Sequence, residues 1–180
     1  TNTVTFVYNS GTQAQHSGPS DVPWVNVNYA FDGNVGTYAT VTINVNQYYS
    51  YNLVALNVPI VVPHLWSAIT KVEGGIRAKT TGAAHTATPV VITSPYLASP
   101  GTHSASLTGV DTDFFFDCTK AGQIYDWNNI LPTDFHVYDS NLYGVLFEDY
   151  ISMFYLRITY TGPVVQSRSG PLLFQDPGII

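Results

Sequence analysis

The sequence predicts an all-β fold, an antiparallel, jelly-roll-like β-sandwich, on three observations. Apolar residues recur with a period of two in short runs along the chain. Gly, Pro, Asn and Ser gather between those runs. No 3.6-residue period with good helix formers persists for three turns. At 180 residues the chain suits one core better than two. The expected organisation is a sandwich domain over 1–162 and an extended C-terminal arm over 163–180.

Taken in order, Val4, Phe6 and Tyr8 alternate with Thr3, Thr5 and Val7. Val41, Ile43 and Val45 alternate with Thr40, Thr42, Asn44 and Asn46. Residues 52–62 read as a less regular strand. Val72, Ile76 and Ala78 face opposite Lys71, Glu73, Arg77 and Lys79, and the pair Gly74-Gly75 suggests a bulge. Residues 88–93 form another weakly phased strand. Phe114, Phe116 and Cys118 share a face away from Asp113, Phe115 and Asp117, which makes Cys118 a core residue, not a nucleophile. Val145 and Phe147 oppose Leu146 and Glu148. Phe154, Leu156, Ile158 and Tyr160 oppose Tyr155, Arg157 and Thr159. Loops are expected at 9–23, 94–109 and 121–139, where polar and breaker residues cluster.

Thr161-Gly162-Pro163 stops the last strand. The 18 residues from Pro163 hold three Pro and two Gly among Val164, Val165, Leu172, Leu173, Phe174, Ile179 and Ile180. That is too broken for a long element and too apolar for a solvated tail. Three readings stay open: packing on its own domain, crossing to a neighbouring subunit, or disorder. In the second, Leu172, Leu173, Phe174, Ile179 and Ile180 are interface residues.

Composition excludes several functions. Charged residues are 10% of the chain, against about 25% in an average globular domain. Hydrophobic residues at 45% and aromatic residues at 14% exclude a disordered chain. Six Lys and Arg, spread from Lys71 to Arg168, make no basic stripe for nucleic acid. One Cys excludes an intrachain disulfide. No apolar run reaches the ~20 residues of a membrane helix, and residues 1–20 lack the pattern of a secretory signal.

No catalytic signature is present, so the chain is expected not to be an enzyme. Its two Glu, Glu73 and Glu148, are not tied together by any motif. His16, His64, His85, His103 and His136 show no metal-binding spacing. Asp111 and Asp113 share a face at i and i+2, as a chelating or acid/base pair or as solvated residues leading into a strand. Asp32-Gly33-Asn34, followed by Gly36 and Thr37, reads as a turn or as a structural Ca²⁺ site held by Asp32 and Asn34; no other cofactor is expected. Tyr48, Tyr49 and Tyr51 crowd one segment, and Trp24, Trp66 and Trp127 lie in or beside loops. Such rings cap a core, anchor an interface or stack on sugar. Trp66 and Trp127 are the candidate glycan platform.

Two sets of motifs resemble known families. Ala30-Phe31-Asp32-Gly33-Asn34 with Thr37-Tyr38-Ala39-Thr40 resembles the opening of discoidin-type, galactose-binding-like jelly rolls. From about residue 29 to 161 the order of motifs resembles a β-sandwich module of phage virion proteins. Its parts are Val58-Pro59-Ile60-Val61-Val62-Pro63, then Ile69 to Ala78, then Trp127-Asn128-Asn129, then Tyr143-Gly144-Val145-Leu146-Phe147, then Leu156 to Tyr160. The second resemblance implies a non-enzymatic structural protein located in the virion, a multi-copy capsid decoration, fibre or tail part. Its partners would be its own copies, as a trimer by analogy, and other virion proteins. A surface dressed with Asn, Ser, Thr and Tyr fits that role, because it is buried with little charge desolvation. The alternative is a lectin-like module that binds host surface glycan.

Overall fold

A computed structural model describes residues 1–58, 68–82, 85–91, 105–125, 127–130, 135–140 and 144–162. Among the described residues ten strands run in the order β1 (Asn2–Val7), β2 (Ser10–Ala14), β3 (Ala39–Ile43), β4 (Asn52–Asn57), β5 (Ala68–Gly82), β6 (His85–Val91), β7 (Ala105–Leu107), β8 (Thr112–Asp117), β9 (Phe135–Asp139) and β10 (Phe147–Thr161). A 3₁₀ turn at Val27–Ala30 and one helical turn at Trp127–Ile130 are the helical pieces among the described residues.

The strands form two five-stranded sheets. One runs β1-β10-β5-β8, with β3 beside β1 on the same edge of β10; the other runs β2-β4-β9-β6-β7. The pairing is nested: β3 with β10, β4 with β9, β5 with β8 and β6 with β7, all antiparallel. These are the rungs of one two-stranded ribbon rolled over itself, the winding of a jelly roll. Pairing of β10 with β5 and of β9 with β6 closes the roll into sheets. The predicted fold class is therefore the observed one.

Inward residues of both sheets meet in an aromatic core. Phe154 lies 5.1 Å from Phe31 and 6.0 Å from Phe135, measured between ring centroids. Tyr8, Phe135, Phe147 and Phe154 are fully buried. Cys118 is buried as expected, and burial pushes its thiol up to about 11, which keeps it protonated at neutral pH.

Several expectations need correction. The run at 154–160 and the last two residues of the run at 145–148 belong to one strand, the 15-residue β10, while Val145 and Leu146 precede it. A register shift between Ile151 and Met153 splits its pattern. Phe147, Asp149 and Ile151 face in before it, and Phe154, Leu156 and Ile158 after it. The bulge is there and not at Gly74-Gly75, which stay in register with Leu156 and Tyr155. Those glycines instead make room for rings: a Cβ on Gly74 would enter the Phe135 ring, and one on Gly75 would lie 2.7 Å from Phe115.

Strands β2, β7 and β9 lie inside stretches expected to be loops. β2 is a polar edge strand with no apolar alternation. β3 stops at Ile43, and Val45 is exposed, because Asn44 turns the chain by bonding Gln47. Of 52–62 the described part is β4 and Val58, and of 88–93 it is the end of β6. The expected arm, with Leu172, Leu173, Phe174, Ile179 and Ile180, lies outside the described residues.

Filling the space above Gly74 forces Phe135 out of place. Gly74→Ala should destabilise the fold by about 1–3 kcal/mol, read as a lower urea midpoint. Gly18→Ala, with nothing within 4 Å of the new methyl, should change it by less than about 0.5 kcal/mol.

Candidate functional site

The outward face of the β10-β5-β8 sheet gathers the chain's scarce charge. Antiparallel register stacks its side chains in rows. Thr42, Glu148 and Thr81 form one row across β3, β10 and β5, and Thr40, Tyr150 and Lys79 the next. Beyond the bulge follow Tyr155, Gly75 and Phe115, then Arg157, Glu73 and Asp117. Four of the six basic residues, Lys71, Arg77, Lys79 and Arg157, belong to this face.

Each of those cations has a carboxylate. Arg157 holds Glu73 with two bonds, Nε–Oε2 at 2.7 Å and Nη2–Oε1 at 2.9 Å, and Lys71 adds a third at 2.8 Å. Burial opposes ionisation of Glu73, but the bonds from Arg157 and Lys71 outweigh it and hold the carboxyl below its ordinary range. The Arg157 guanidinium also lies 3.5 Å from the Phe115 ring centroid. Arg77 bonds Asp113 at 3.1 Å, and Tyr155 donates to the same carboxylate at 3.2 Å. Burial and that carboxylate push the Tyr155 phenol up to about 12. Lys79 reaches Tyr38 Oη at 3.0 Å and Asp111 at 3.4 Å. Asp111 and Asp113 thus serve separate cations and form no acid/base pair.

Glu148 breaks the rule. Among the described residues no Lys, Arg or His pairs with it. Tyr150 shares its outward face, and Glu148 is the main cause that holds the Tyr150 phenol above its ordinary value. Glu148 lines an open pocket of about 270 Å³ with Thr42, Thr81, Leu146 and Phe147. Phe147 is buried, and Leu146, 57% exposed, stands at the side. Gly144 sets that wall. Its φ of +61° suits glycine, and a Cβ there would sit 3.4 Å from the Val45 carbonyl. Two hydroxyls, an unneutralised carboxylate and an aliphatic wall can take hydrogen bonds and a hydrocarbon face together.

The described site residues expected from sequence, Trp127, Asp32 and Asn34, do not line this pocket. Trp127 is 3% exposed and packs edge-on against Tyr160, so it offers no ring to a ligand, a correction that follows from its place in the core. Trp66 lies outside the described residues. Trp24 is buried too, its indole N–H donating to the Tyr51 carbonyl at 2.8 Å. Asp32 and Asn34 do come together, in a turn that uses their oxygens. Asp32 accepts from the Asn34 amide at 2.8 Å and the Thr37 hydroxyl at 2.7 Å, and Asn34 accepts from the Gly36 amide at 2.9 Å. Among the described residues no three His, Cys, Asp or Glu gather as a metal site, and no helix is long and apolar enough to cross a membrane. Sequence reasoning missed the pocket because its rows join strands far apart in the chain. The outward phase of Glu148 was the one signal available.

Removing the buried end of the Glu73 network leaves two cations partly in water. Glu73→Gln should cost about 1–2 kcal/mol at pH 7. The ionised carboxylate stabilises the fold above its ordinary pKa, and this is lost as pH falls through its lowered folded-state value. The difference between variant and wild type should therefore vanish in strong acid, as measured by urea unfolding at pH 7 and below pH 3.

No family model matches the chain, and no curated protein matches it, so the phage-virion resemblance gains no support from either. Among solved structures the chain is similar to one described as "CBM4 structure and function", with 13% identity and a TM-score of 0.44, over 86% of this chain and 94% of that one.

Proposed function

We propose that this chain is a non-catalytic recognition domain that binds a neutral carbohydrate on the outward face of the β10-β5-β8 sheet. The observation that carries the reading is the Thr42–Glu148–Thr81 row, where the carboxylate has no cation among the described residues, on a face that pairs its others. A carboxylate accepts hydrogen bonds from sugar hydroxyls, and the two threonine hydroxyls donate or accept. Leu146 offers an apolar surface for ring C–H groups. The volume, below the ~300–1,000 Å³ of drug-sized sites, suits a single sugar unit. Glu148 also repels anionic sugars, which makes the specificity neutral.

Binding of neutral and acidic oligosaccharides on a glycan array, followed by calorimetry, tests this. Thr42→Ala and Glu148→Gln should each weaken a neutral ligand about tenfold, roughly one lost hydrogen bond, without moving the unfolding midpoint. Unchanged affinity in both variants, or no glycan bound, would refute the reading.

A second reading is self-assembly in a virion, as a multi-copy structural part. It is supported by apolar residues left in water on a charge-poor chain: Ile124 is 86% exposed, Val110 69% and Tyr48 64%. It predicts an oligomer in solution, which solution mass measurement reads directly. A chain that loses residues 163–180 should then fall to a monomer while staying folded, and a monomer both with and without that segment would exclude it.

A further inference from the structure

The outward row next to the pocket is built as a stacking surface. Tyr150 stands there between Thr40 of β3 and Lys79 of β5. It is two residues along β10 from Glu148, about 7 Å at the rise of a strand. Asp149 and Ile151 on either side of it are buried, so the Tyr150 ring lies on the outward face with the pocket, half-buried.

Two neighbours hold that ring in place. Tyr38 meets it edge-on, with centroids 5.7 Å apart and planes at 86°. The Lys79 ammonium lies 5.6 Å from the Tyr150 centroid and 4.2 Å from that of Tyr38. Lys79 is itself tied down, to Tyr38 Oη at 3.0 Å and to Asp111 at 3.4 Å, and Tyr38 donates to the same carboxylate at 2.8 Å. A ring fixed before binding loses little freedom when a ligand covers it. Past the bulge the outward groups are engaged with one another: Arg77 and Tyr155 with Asp113, and Arg157 with Glu73 and Phe115. A ligand that leaves the pocket along β10 therefore meets the Tyr150 ring first.

Resting on the carbohydrate reading of the pocket, we infer that the ligand is a chain of at least two sugar units and that Tyr150 is the floor under the second. One unit fills the pocket at Thr42, Glu148 and Thr81. The next, displaced by one row of the sheet, lays its C–H face on the Tyr150 ring. Its hydroxyls accept from Lys79, an ammonium with three donors, of which Tyr38 and Asp111 take two. The two rows thus ask for opposite roles. Glu148 needs hydroxyls of the first unit that donate, and Lys79 needs oxygens of the second that accept.

Calorimetry on the full chain tests the second unit, with glucose, galactose, mannose, xylose and N-acetylglucosamine, each beside its α- and β-linked dimers. For the sugar that binds, the dimer should be at least about tenfold tighter than its monomer. That ratio should fall to near one in Tyr150→Ala and persist in Tyr150→Phe, which keeps the ring. In the wild type the Tyr150 ring-proton NMR signals should move with the dimer and stay with the monomer, a reading that needs no variant to fold. A dimer no tighter than a monomer whose binding depends on Glu148, or a ratio unchanged in Tyr150→Ala, would overturn this inference and leave the pocket reading standing. Absence of binding by every monomer and dimer would overturn both.

Discussion

The antiparallel pairing of β10 with β5 is the constraint on which the rest of the structure depends. β10 pairs with β5 along its whole length, from Phe147 opposite Gly82 to Thr161 opposite Ala68. Its other edge takes β3 and then β1. A strand so enclosed must satisfy both faces at every position. The shift between Ile151 and Met153 lets it do so, since it keeps Phe147 and Phe154 in the core although their numbers differ in parity. The same shift puts Glu148 and Arg157 on one outward face.

That face explains how a chain with so few ions uses them. Ion pairs on open surfaces contribute little, yet here the pairs are tied to rings and to a half-closed sheet. Arg157 covers Phe115, and Lys79 lies 4.2 Å from the Tyr38 ring centroid. Phe115 lies flat because Gly75 has no side chain beneath it. Glu148, the carboxylate of this face without a cation among the described residues, stands beside the Gly144 turn that carries Leu146.

Much of the fold was legible in the sequence, and the reasons for the gaps are physical. Alternation at Val4, Phe6 and Tyr8, and at Phe154, Leu156 and Ile158, marks residues that do face the core. Alternation fails where a strand needs no apolar face, as in Ser10–Ala14. It also fails at Asp139, where an acid takes a core position and makes β9 read as a loop. Gly74-Gly75 carried a true signal, but of ring packing rather than a bulge. Trp127 was read as a platform because it lies among polar residues, yet one helical turn carries it inward. Of the pocket, only the outward phase of Glu148 could be read, because Thr42, Thr81 and Leu146 are assembled by a nested winding that no local pattern encodes.

Backbone amide NMR of the labelled chain, titrated with a neutral oligosaccharide selected by array binding, tests the central claim most directly. Shift changes concentrated at Thr42, Thr81 and Leu146–Glu148 are the result this account predicts. Changes confined to the opposite sheet or to residues 163–180, with this row unmoved, would contradict it.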